Sequence, residues 1–136
     1  FVYCDENADR AEAMANRHLG GYWHSMVEHY EMDGSHFKNI KGYEWYANAA
    51  AHINNDGAAA ARQFFVDLHV WGTPEQCYQK LLNIRDYVGN DKFNGMFSYG
   101  GLPPAAAEAS MRLFAKEVMP QLQKLPAPVI AAAKSA

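Results

Sequence analysis

The run His24-Ser-Met-Val-Glu28-His29 sets an imidazole and a carboxylate one helical turn apart, with a second imidazole beside them. Spacing of i and i+4 puts two donors on one helix face, which is how paired side chains begin a metal site. The order of residues is neither H-E-x-x-H nor H-x-x-E-H, however, and no third ligand stands near. This stretch therefore reads as an amphipathic helix meeting solvent, with no metal bound. His69 and Trp71 stand among apolar neighbours, and a lone histidine in that setting reads as structural. Gly100-Gly101 is not a G-x-G-x-x-G phosphate fingerprint. Pro103 and Pro104 also remove N–H donors from the helix start that would otherwise hold an anion. The Cys, Ser and His residues place no nucleophile beside a base.

A denser signal is aromatic. Tyr22, Trp23, His29, Tyr30, Phe37, Tyr43, Trp45 and Tyr46 crowd into residues 22–46. Two readings stay open. Tyr22, Trp23, Tyr43 and Trp45 could wall an apolar substrate pocket, as insertions near an active face do. Alternatively the rings pack a thin helical layer or a subunit interface, where aromatics are enriched.

These residues must be positioned by the elements around them. "FVYC", residues 1–4, is short and apolar, as a buried strand should be. Asp5 or Asn7 caps a helix whose apolar positions Ala11, Met14, Ala15, His18, Leu19, Tyr22 and Met26 carry it through Gly20-Gly21. Asp33-Gly34-Ser35 signals a turn. "EWYANAAAHINN" and "AAAARQFFVDLHV" read as helices split by Asn54-Asn55-Asp56-Gly57, although the second could end as a strand over Val66–Val70. Thr73, Pro74 and Gln76 form a capping box for a helix with the stripe Cys77, Leu81, Ile84, Val88, closed by Gly89. Phe93–Tyr99 then reads as a second strand. A helix over 105–119 follows, with Ala107, Met111, Phe114, Val118 and Leu122 on one face and its end near Pro120. Strands separated by helices should be parallel and buried on both faces. The double glycine at 100–101 would turn the chain sharply where the second strand ends, the end at which β/α proteins bind ligands.

Composition narrows the function. With 136 residues, 49% hydrophobic and 20% charged, the chain has material for one packed domain. A net charge of −3 with scattered lysines and arginines argues against nucleic acid, which needs a basic face. No segment approaches the roughly 18 consecutive apolar residues that span a bilayer, and no signal peptide is visible. Neither a membrane nor a secreted setting is expected; a cytoplasmic one is. Cys4 and Cys77 are too few for a disulfide framework and read as buried free thiols. The chain enters a strand directly at Phe1, which reads as a fragment of something longer.

"VWGTPEQCYQKL", "FNGMFSYGGLP" and "SMRLFAKEVMPQL", together with "FVYCDENADRAEAMA", resemble the C-terminal end of the luciferase-like flavin-dependent monooxygenases. That family includes bacterial luciferase and long-chain alkane monooxygenase. The similarity runs from Phe1 to Leu122 and is weakest over residues 22–60, which read as an aromatic-rich helical insertion; 123–136 reads as an Ala/Pro-rich tail. The resemblance implies an α/β fold, the helix-rich C-terminal part of a (β/α)8 TIM barrel. Only its last two parallel strands, Phe1–Cys4 and Phe93–Tyr99, would be present. A whole barrel takes about 250 residues, so 136 would form a single partial domain.

The implied chemistry uses reduced FMN, or F420 in some relatives, with NAD(P)H as the indirect reductant, to activate O2 and oxygenate a small organic substrate. No catalytic residue carries over, because the family's catalytic histidine and flavin-phosphate contacts lie on earlier strands. What transfers is location: Phe97, Ser98, Tyr99, Gly100 and Gly101 would border flavin or substrate. The expected partners are that substrate, the remainder of the barrel and further copies of the chain. The competing expectation is a non-catalytic, helix-rich interaction or oligomerisation module, since orphan strand edges invite association.

Overall fold

The computed structural model describes residues 1–55 and 57–126, without the side chains of Ala50 and residues 52–55. It is helix-rich with one two-stranded parallel sheet, an α/β arrangement. The order is β1 (Val2–Cys4), α1 (Ala8–Tyr30), a 3₁₀ turn (His36–Asn39), α2 (Glu44–Asn55), α3 (Ala58–Leu68), β2 (Val70–Gly72), α4 (Pro74–Val88), α5 (Pro104–Glu117) and α6 (Met119–Leu122). The tail read at 123–136 lies outside the described residues beyond Pro126, as does Asp56 in the break before α3. The chain divides into two compact units. The first holds Phe1–Glu12, Val70–Ser98 and the chain from Leu102; the second holds Ala13–His69 with Tyr99–Gly101.

In the first unit β1 pairs with β2 in parallel, Val2 opposite Val70 and Cys4 opposite Gly72. A parallel pair needs a long crossover, and residues 5–69 supply it. The strand expected over Phe93–Tyr99 is corrected: that segment carries no strand, and the partner of β1 is Val70–Gly72. The reason lies on the free edge of β1. Its Val2 N–H donates to the Met96 carbonyl at 2.9 Å, but its next outward donor, Cys4 N–H, is taken by Ser110 Oγ at 2.8 Å. One backbone bond does not make a ladder, and Gly95 inside the segment weakens extended pairing further. Val70 and Trp71, β-branched and aromatic, suit the pleat instead.

Helix α4 forms as its ends dictate. Gln76 N–H donates to Thr73 Oγ1 at 3.3 Å, and Thr73 N–H donates to Gln76 Oε1 at 2.8 Å. Gly89 closes the helix in the left-handed region at φ 74°. Such a box is worth about 1 kcal/mol. Helix α4 packs on β2 and α5 on β1, around a core of Val2, Val70, Cys77, Leu81, Phe114 and Val118. Both cysteines are free and buried there. The hydrogen bond with Cys4, followed by burial, pushes the Cys77 thiol up, so it stays protonated. Helix α5 ends at Glu117, near Pro120 as expected, and the short α6 restarts at Met119 with Pro120 in its first turn, where proline is tolerated.

The start of α1 is built on two side chains. Asn7 is the cap, its Oδ1 accepting from Arg10 N–H at 2.8 Å. Asp5 Oδ1 accepts from Asn7 N–H at 2.9 Å, and Arg10 grips the carboxylate with Nε at 2.7 Å and with Nη2. Burial pulls the Asp5 carboxyl upward; the Arg10 fork, the Asn7 N–H and Tyr3 outweigh it and leave it below its ordinary 3.8. A depressed carboxyl contributes stability that is complete above the unfolded value and is lost as pH falls through the folded one. Urea midpoints measured as pH drops from about 5 toward 2 should therefore fall more steeply in the wild type than in Asp5→Asn. Identical slopes would refute this role.

Candidate apolar binding site

The second unit carries a cavity of about 590 Å³, bounded by three helices that each offer one face. From α1 come Trp23, Met26 and Val27, at i, i+3 and i+4. From α2 come Trp45, Asn48 and Ala49 in the same spacing, and from α3 come Ala61, Phe64, Phe65 and Leu68. Residues at those offsets share a helix face, so three amphipathic stripes meet without a special motif. Trp23, Val27 and Met32 form the buried floor, Trp23 being only 7% exposed. Trp45, Phe64 and Leu68 are exposed at the mouth. Asn48 brings the single polar side chain other than the indoles, and no charged side chain lines the cavity among the described residues.

Of the four aromatic residues read as a wall, Trp23 and Trp45 line this cavity. Tyr22 does not; it stacks on the lining residue Phe65 with ring centroids 6.2 Å apart. Tyr43 stacks on Phe37 at 5.7 Å, near-parallel at 5°. The rest of the cluster packs ring on ring: Phe37 tilts on Tyr46 at 5.4 Å, and Trp45 stands edge-on to Tyr46 at 5.1 Å.

The residues read at a strand end divide between the units. In the first, Phe97 packs edge-on against Phe114 at 5.4 Å and lines a separate cavity of about 520 Å³ with Leu81, Phe93 and Met111; Ser98 is exposed. In the second, Tyr99 is buried, and Gly100 and Gly101 turn the chain with φ of 53° and 67°. The Gly100 carbonyl accepts from His18 Nδ1–H at 2.9 Å. A carbonyl only accepts, so this bond places the neutral ring's proton on Nδ1. His18 lay on the helical stripe in the sequence, but nothing local marked its partner 82 residues away. Nor did any local signal mark Asn48, Phe64 or Leu68 as lining residues.

The remaining candidates have ordinary structural partners. His24 Nε2 lies 3.5 Å from Glu28 Oε1, both side chains exposed. His29 meets Tyr30 edge-on at 4.8 Å. His69 Nδ1–H donates to the Phe65 carbonyl at 2.8 Å. Among the described residues no three His, Cys, Asp or Glu side chains gather as a metal-binding group, and no helix is long and apolar enough to cross a membrane. Family models, characterised proteins and solved structures gave no match.

Proposed function

We propose that the chain is the C-terminal part of a luciferase-like flavin-dependent monooxygenase, a partial (β/α)8 barrel in a cytoplasmic enzyme that oxygenates a small organic substrate with reduced flavin and O2. One observation supports this above the others. Two parallel strands each run straight into a capped helix at the C-terminal end, β1 through Asn7 into α1 and β2 through Thr73 into α4. Repeated strand-to-helix units in one direction are the unit of β/α barrels.

A flavin does not fit on these residues alone. Helix α5 opens on Pro103 and Pro104, which offer no N–H to a phosphate, and the first turn of α4 is already satisfied by its capping box. In this reading FMN, or F420, is held by earlier strands of the barrel, NAD(P)H reduces it indirectly, and this chain adds outer helices and an apolar wall. The natural polypeptide, supplied with reduced FMN or F420, is expected to consume O2 or transfer hydride. Failure of both overturns the assignment.

A second reading, a helix-rich module that associates with copies of itself, draws support from Tyr87 and Val88. They end α4 at 94% and 65% exposure, and large exposed apolar groups mark interfaces when they cluster. A monodisperse monomer by light scattering would count against it.

A further inference from the structure

We propose that the cavity of the second unit binds an uncharged, largely hydrocarbon small molecule, with Asn48 meeting its one polar group. Its volume of about 590 Å³ falls within the roughly 300 to 1,000 Å³ of small-molecule sites. The floor is apolar and buried at Trp23, Val27 and Met32. An ammonium or carboxylate entering it would shed water and find no opposite charge among the described lining residues, and a charge buried unpaired is strongly disfavoured. A hydroxyl or carbonyl loses far less and finds in the Asn48 amide both a donor and an acceptor. The oxygenase reading is needed only for what then happens to the ligand; binding stands apart from it.

The test is a fluorescence titration of the 136-residue chain, in which Trp23 and Trp45 report on the cavity they line. With 1-octanol a saturable change is expected. Octylammonium and octanoate at neutral pH should bind at least about tenfold more weakly. Ala60→Phe, which enlarges a further lining residue on α3, should weaken octanol binding by a similar factor. Leu68→Glu places a charge at the exposed mouth and provides a second variant whose folding is not at risk from core strain. Circular dichroism confirms that each variant is folded. No saturable change in the wild type, equal binding of the charged probes, or wild-type affinity in both variants would overturn the proposal. Octanol binding with neither O2 uptake nor hydride transfer by the flavin-loaded natural polypeptide upholds the pocket and sinks the flavoenzyme assignment. Uptake without octanol binding does the reverse.

Discussion

Gly100→Ala is expected to cost at least about 3 kcal/mol of stability, against about 1 kcal/mol for Gly101→Ala. Both glycines sit at positive φ, 53° and 67°, where a Cβ meets its own backbone. They differ in their neighbours. A Cβ at Gly101 meets nothing within 4 Å. At Gly100 it would collide with the His18 carbonyl oxygen, come within 3.1 Å of that carbonyl's carbon, and touch Tyr22 Cβ at 3.4 Å. The obstacle is helix backbone rather than the end of a flexible side chain, so it cannot swing aside. Relief would require the turn to withdraw, which stretches the 2.9 Å bond from His18 to the Gly100 carbonyl. Urea unfolding of the two variants beside the wild type measures the difference. Equal losses would mean that the close approach contributes nothing and only the backbone angle matters.

Phe114→Ala should remove about 3 to 5 kcal/mol. Phe114 is 7% exposed and belongs to the core of the first unit. It meets Phe97 edge-on at 5.4 Å and Phe93 at a tilt, 6.3 Å away. Truncation leaves those rings without a common partner and enlarges the neighbouring cavity, both of which add to the lost transfer energy. Met111, one turn earlier on the same helix, lines the same cavity but is 48% exposed. Met111→Ala should cost less than about 1 kcal/mol. Comparable losses at the two positions would show that α5 is not anchored through Phe114.

Helix α4 was legible in the sequence because everything that defines it is local. Thr73, Pro74 and Gln76 start it and Gly89 ends it, all within one stretch, and the structure adds only distances. The stripe through Ala11, Ala15, His18 and Leu19 was legible for the same reason, since all four are buried. Phe93–Tyr99 misled because an apolar run states a tendency to extend without naming a partner. Pairing was settled by Ser110, in a helix whose sequence gives no hint that its hydroxyl reaches a strand. Val70–Gly72 was met only at Val70, the last residue of the strand offered as an alternative over Val66–Val70, for the converse reason: three residues after a helix are too few to show alternation. The aromatic-rich region does carry a cavity, lined by Trp23 and Trp45 but not by Tyr22 or Tyr43. The choice of Trp23 over Tyr22 depends on rotation about the α1 axis, and the wall from α3 depends on how three helices meet. Neither is written in a local pattern.

The Ser110 hydroxyl has one more consequence. An unpaired strand margin is a template on which other chains can add and stack. Here the rung that a newcomer would need at Cys4 is already occupied by an oxygen from the protein's own α5. A stray segment must evict that oxygen before it can zip up alongside. Serine at position 110 thus withholds the Cys4 rung from any segment that has not first displaced its hydroxyl.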